Sequence, residues 1–103
     1  MTFMLSTPAE ILLALGGRLR AQRLAQSLTQ RELAQMAGLS LGALRKLETD
    51  GQCSLETLVR VAQALGLAAA MDALFVLQPQ SIAQMEQAAR ARPRQRAPRR
   101  RSA

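Results

Sequence analysis

The 103-residue chain contains no histidine, tryptophan or tyrosine, one cysteine and two phenylalanines. Cys53 alone cannot close an internal disulfide, and without histidine the usual zinc sites and His-based catalytic sites have no ligands or bases. A glycine-rich phosphate loop of the P-loop type is missing too, and a chain this short leaves little to enclose a substrate. No enzyme, metal or cofactor is therefore expected. With Phe3 and Phe75 the only aromatics, the core has to be built from Leu, Ala, Val, Ile and Met, which favours an all-α fold. No apolar run is long enough to span a bilayer, so no membrane association is expected. The opening stretch "MTFMLSTPAEILLALGG" is apolar, yet Glu10 interrupts it and no basic residue precedes it, the wrong pattern for a secretory signal. The cytoplasm is the expected compartment.

What is present suits one small domain. Hydrophobic residues make up 49% of the chain, enough for a modest core that a partner subunit would strengthen. The net charge of +7 is unevenly placed: residues 1–86 hold seven basic and seven acidic groups, so the whole excess sits in the seven arginines between Arg90 and Arg101. The expected organisation is an N-terminal arm over residues 1–7, a domain over 8–78, and a basic, largely disordered tail over 79–103.

Punctuation divides the domain into short helices. "TPAE" makes Thr7 an N-cap, Pro8 the first helical residue and Glu10 its capping-box partner, so a helix starts at Pro8 and runs to about Gln26. Ile11, Leu12, Leu15, Leu19 and Leu24 form its apolar stripe, and Gly16-Gly17 is a place for a kink. "TQRE" is a second capping box, opening a two-turn helix that presents Leu33, Ala34 and Ala37 inward and ends at Gly38. Ser40 caps a third helix, which buries Leu44 and Leu47 and stops at Asp50-Gly51. Ser54 caps a fourth, with Leu55, Leu58, Val59, Ala62 and Leu65 at helical spacing. Beyond Gly66, residues 68–74 suit a fifth helix, whereas "LFVLQ" at 74–78 has the composition of a short strand. "TFMLS" near the start suits either a strand or a frayed arm.

Two short helices, "TQRELAQMA" and "SLGALRKLE", joined by a "GLS" turn, resemble the Xre/Cro family of helix-turn-helix domains. "LTQRELAQMAGLS" matches that family's Leu-Thr-Gln-x-Glu-Leu-Ala run followed by Ala-Gly-hydrophobic-Ser. Leu44 stands at its buried aliphatic position, Glu48 at its acidic position, and "SLETLVRVAQALGL" is similar to its fourth helix. The resemblance covers about residues 15–74. It implies a five-helix, lambda-repressor-like domain that binds an operator in double-stranded DNA, a cytoplasmic and nucleoid-associated protein. It also implies a pairing of Arg23, late in the first helix, with Glu48, locking the third helix without touching bases.

A helix that reads DNA lies in the major groove while the preceding helix braces it on the backbone. Opposite the buried Leu44 and Leu47 lie Leu41, Gly42, Arg45 and Lys46, the expected base-contacting set. Gly42 either lets the backbone approach the duplex or is a tolerated surface glycine. Leu41 can touch a thymine methyl but donates no hydrogen bond, which leaves base reading to Arg45 and Lys46. Gln30 and Ser40, at helix starts, are expected at phosphates, and Arg31 and Arg18 contact either phosphate or solvent alone.

One such unit reads only a few base pairs, so a homodimer is expected, through Leu67, Met71, Leu74, Phe75, Val76 and Leu77. If "LFVLQ" pairs with its symmetry mate as a ribbon, the arrangement resembles HipB-like antitoxins, which accompany HipA-type Ser/Thr kinase toxins. The expected function is a dimeric, autoregulatory transcriptional repressor acting as the antitoxin of a toxin–antitoxin operon. Alternatives are a module that mainly restrains such a kinase, a stand-alone phage-type repressor, and a general basic protein that uses its tail on nucleic acid. The tail itself adds phosphate contacts, docks on an acidic partner, or only solubilises the chain.

Overall fold

A computed structural model describes residues 3–77 and, beyond them, Glu86, Gln87, Ala89 and Arg90. Within residues 3–77 five helices follow one another: α1 (Pro8–Ala25), α2 (Gln30–Ala37), α3 (Leu41–Asp50), α4 (Leu55–Ala64) and α5 (Ala68–Met71). The four longer helices start where the capping residues place them. In α1 the Thr7 N–H donates to Glu10 Oε1 at 2.8 Å and the Glu10 N–H donates to Thr7 Oγ1 at 3.1 Å. Thr29 and Glu32 repeat the box at α2, at 2.8 and 3.0 Å. Each box satisfies two of the orphan donors of a helix start. Ser40 and Ser54 accept from the third residue of their helices, Ala43 and Thr57. Gly38 and Gly51 close α2 and α3 in the left-handed conformation.

α1 packs on α3, and α2 packs on both α3 and α4. The core between them consists of Leu19, Leu33, Ala34, Ala37, Leu44, Leu47, Val61 and Leu65. α1 runs helical through Gly16-Gly17 from end to end, and the two glycines serve unequally. A Cβ on Gly16 would strike the carbonyl oxygen of Leu47, and one on Gly51 would strike the backbone of Leu12, whereas Gly17 faces open space. Gly16 and Gly51 therefore let α1 and the end of α3 meet backbone to backbone.

The apolar stripes differ from the sequence expectation in rotation. Leu12 and Leu24 of α1 are exposed, and its buried face is Gly16, Leu19 and Arg23. On α4, Leu55 is exposed and Val61, outside the expected stripe, is fully buried. Packing against α2 selects Leu58, Val61, Ala62 and Leu65, a run at i, i+3, i+4 and i+7 offset from the expected one.

The end of the domain also departs from expectation. α5 is one turn, shorter than the expected 68–74, and no strand forms among the described residues. Residues 72–75 are a turn, with Phe75 at φ 56°, and Val76 donates to the carbonyl of Ala73. Among the described residues no second strand lies beside 74–77 to form the ladder that a strand needs, and Gln78 lies outside the described residues. "TFMLS" forms no strand over its described part: Met4 and Leu5 form a turn closed by the Ser6 N–H donating to Phe3 O at 3.2 Å. In the expected tail, Glu86, Gln87, Ala89 and Arg90 are helical and exposed, while the arginines from Arg92 to Arg101 lie outside the described residues.

Candidate nucleic-acid interface

The α2–turn–α3 unit is held from within. Leu33 and Leu44 are 0% exposed and Leu47 is 2% exposed, and Ala34 and Ala37 are small enough to bring the two helices together. The turn between them is closed by the Leu39 N–H donating to Ala34 O at 2.8 Å. This wedge leaves the opposite face of α3 outward, with Gly42, Arg45 and Lys46 exposed and Leu41 half-buried. A Cβ on Gly42 would meet nothing within 4 Å, so no contact inside the domain requires glycine there.

Behind this face lies a buried ion pair. Arg23 Nε donates to Glu48 Oε2 at 2.8 Å and Arg23 Nη2 donates to Glu48 Oε1 at 3.0 Å. The two side chains are 8% and 1% exposed. Arg23 Nη1 donates to the carbonyl of Leu28 at 2.8 Å, which ties the loop between α1 and α2 into the pair. Burial pushes the Glu48 carboxyl up, but hydrogen bonds from Arg23 and Gln30 and the charges of Arg23 and Arg20 outweigh it, holding the group below its usual range. Glu48 is thus ionised at neutral pH, and its charge joins the first and third helices.

Gln30 occupies a place that its position at a helix start did not reveal. It is half-buried, its Nε2 donates to Glu48 Oε1 at 3.0 Å, and its Oε1 accepts from Arg45 Nε at 3.3 Å. The buried pair is therefore joined through Gln30 to a side chain on the outer face. The available signal was Arg45 and Glu48, three residues apart on one helix and able to share a neighbour.

The remaining candidates lie at the surface. Ser40 Oγ is occupied as a cap, accepting from the Ala43 N–H at 3.0 Å, and Arg31 is exposed. The Arg18 guanidinium sits 4.9 Å from the centroid of the Phe3 ring, so the N-terminal turn lies against one of the expected phosphate contacts. A shallow depression beside α3 is lined by Ala43, Lys46, Gln52, Cys53, Ser54 and Thr57. Burial raises the pKa of the Cys53 thiol there, partly opposed by a hydrogen bond with the Leu58 backbone, so the thiol is protonated at neutral pH. Among the described residues, no three or more His, Cys, Asp or Glu side chains group as a metal site. No described helix is long and apolar enough to cross a membrane.

Of the expected dimer residues, Leu67 packs on the domain's own core and Met71 is half-buried. Leu74, Phe75, Val76 and Leu77 are exposed, Phe75 to 98%.

No relative among curated proteins matches the chain. The family model described as helix-turn-helix matches residues 19–71, just over half of the chain. The match runs from Leu19 in α1 to Met71 at the end of α5 and contains α2, α3, the turn between them and the acid that locks α3. The chain belongs to the Xre-type helix-turn-helix family of DNA-binding transcription regulators.

Proposed function

We propose that the chain is a dimeric, sequence-specific repressor of its own operon, and that it serves there as the antitoxin of a toxin–antitoxin pair. The observation that carries the DNA-reading part is the contrast between the two faces of α3. Its inner face is locked by Leu44, Leu47 and the Glu48–Arg23 pair, while Gly42, Arg45 and Lys46 stand exposed, with no internal packing role for the glycine. In this reading Leu41, Gly42, Arg45 and Lys46 meet base edges, and Gln30, Arg31, Ser40 and Arg18 lie along the phosphates. The Arg-rich tail adds sequence-independent contacts. In this reading the protein works on DNA in the cytoplasm, at the nucleoid.

The exposed run Leu74, Phe75, Val76 and Leu77 supports protein–protein contact at the end of the domain. A second copy of the chain is the first occupant in this reading, since two units cover two half-sites about one helical turn apart. The same apolar run also supports the second reading, in which the chain chiefly restrains a HipA-like Ser/Thr kinase and DNA binding is secondary.

The test is fluorescence anisotropy of the full chain on duplex DNA from immediately upstream of its own gene, against a scrambled duplex, across a salt series. A preference for the upstream duplex that survives near-physiological salt is expected, together with a flatter salt dependence on both duplexes once residues 79–103 are removed. Equal, salt-labile binding to both duplexes would refute the repressor reading. Autoregulation and the toxin partner are tested by a reporter fused to the upstream DNA and by co-purification with the product of an adjacent kinase gene.

A further inference from the structure

We infer that Arg20 carries the phosphate contact of α1, and that Arg18, clasped by the N-terminal turn, stands on the side of that helix turned away from DNA. The inference rests on the DNA-binding face proposed above and moves the contact of α1 from Arg18 to the arginine two residues later.

Side chains two residues apart on a helix point about 200° apart, so α1 cannot offer both arginines to one surface. Arg23 shows which side is which. It is buried against Glu48, and the residues three before and three after it stand about 60° to either side. Three residues after it, Gln26 faces α4: its Nε2 donates at 2.8 Å to the carbonyl of Leu65, the residue that caps the end of α4. Three residues before it, Arg20 takes the opposite flank, one turn on from Gly16, which lies against the Leu47 carbonyl of α3. The Arg20 charge reaches the Glu48 carboxylate and helps to hold it ionised. Glu48 is bonded to Gln30, and Gln30 to Arg45 on the outer face of α3. Arg20 therefore stands at the edge where α1, the start of α2 and the outer face of α3 come together.

Arg20 is exposed there, and among the described residues no hydrogen bond or close ion pair occupies it. Its guanidinium keeps its donors for a phosphate, in the planar fork that grips two phosphate oxygens at once. Arg18 is placed differently. Its guanidinium lies 4.9 Å from the centroid of the Phe3 ring, and Phe3 is half-buried although it precedes the helix. The capping box at Thr7 and the turn closed by the Ser6 N–H on Phe3 O send the chain back along α1 to meet that arginine. Around the helix Arg18 stands about 140° from Arg23, on the flank of Gln26, so α1 itself lies between it and the outer face of α3. Because the basic and acidic groups of residues 1–86 balance, the direction in which each arginine points decides the field that the domain presents to DNA.

The test is the salt dependence of binding by the full chain, read by anisotropy on the duplex from upstream of its gene and on the scrambled duplex. The wild type is compared with Arg20→Ala, the longer neutral variant Arg20→Gln, the charge-keeping Arg20→Lys, and Arg18→Ala, each checked for folding by circular dichroism. A lost phosphate contact lowers the slope of log K against log salt by about 0.9. Arg20→Ala and Arg20→Gln are expected to lose that much on both duplexes alike, a penalty about 3.5 times larger at about 50 mM than at about 200 mM salt, with any preference between the duplexes kept. Arg20→Lys is expected to keep the wild-type slope, because a retained charge still displaces its counterion. Arg18→Ala is expected to leave the slope unchanged. An unchanged slope in the neutral Arg20 variants, or an equal fall in Arg18→Ala, would overturn the assignment. A wild type that binds both duplexes equally would overturn the repressor reading and not this one, since the slopes are read on either duplex.

Discussion

Replacing Glu48 by glutamine changes few atoms and removes one negative charge from the least exposed ionic contact among the described residues. In the native domain its carboxylate accepts three hydrogen bonds, two from Arg23 and one from Gln30, and Arg23 is 6% exposed. A glutamine offers one oxygen where there were two, and its NH₂ meets a donor of Arg23 or of Gln30. The buried guanidinium keeps the carbonyl of Leu28 as a partner but loses its counter-charge. Removing one member of a buried pair costs about 3–5 kcal/mol. A domain of this size has roughly 4–11 kcal/mol in total, so Glu48→Gln is expected to be marginally folded at neutral pH. The assay is urea unfolding followed by far-UV circular dichroism, since the chain has no tryptophan to report by fluorescence. With a urea slope of about 1 kcal/mol/M, the midpoint moves down by about 3 M or the variant is unfolded without urea. The combined Arg23→Met and Glu48→Leu swap, which leaves no unpaired charge, is expected to recover most of the loss. The same pair sets a pH dependence. Glu48 has a depressed folded-state pKa, so its contribution is complete above the unfolded value of about 4.3 and is lost as pH falls through the folded one. Glu48→Gln removes that part of the acid sensitivity. A stability within about 0.5 kcal/mol of wild type would refute the reasoning, since that is the effect of an ordinary surface substitution.

Three further outcomes follow from the geometry. Gly16→Ala sets a Cβ against the Leu47 carbonyl and is expected to destabilise by about 1–3 kcal/mol, whereas Gly17→Ala, facing open space, is expected to stabilise by up to ~1 kcal/mol; paired urea titrations check the opposite signs. Gly42→Ala is also expected to gain up to ~1 kcal/mol of stability in the free domain and, if the backbone lies against the duplex, to weaken operator binding, so a variant that is more stable and binds equally well would make Gly42 a tolerated surface glycine. Phe75→Asp with Val76→Asp is expected to convert a dimer to monomers in sedimentation equilibrium and to weaken operator binding; a wild-type chain that sediments as a monomer would remove the dimer through this segment.

Short-range chemistry made much of the architecture legible. A capping box spans three residues, so Thr7 with Glu10 and Thr29 with Glu32 marked helix starts with no knowledge of the rest of the chain. Gly38 and Gly51 marked helix ends in the same way, and the spacing between these signals carried the helix-turn-helix resemblance. Burial is less legible in the sequence than helix boundaries are. Leu55 and Leu24 are apolar and correctly spaced, yet they point to solvent, because the neighbours of α4 and α1 cover a different arc of each helix. "LFVLQ" has strand composition, yet its described residues form no strand, since a strand is completed by hydrogen-bond partners that composition does not specify.

Where the four longer helices begin, which pair forms the helix-turn-helix and which face of α3 turns outward are all written in local chemistry, because caps, glycines and helical period act within a few bonds or one turn of the residue that carries them. Packing between helices settles that Gly16 and not Gly17 lies at the α1–α3 contact, that Val61 takes the centre of the α4 face, and that Gln30 stands between Glu48 and Arg45. Those outcomes depend on the angle and height at which separate helices meet, and such a crossing is set by the fit of all the packed side chains together, so no local pattern can express it.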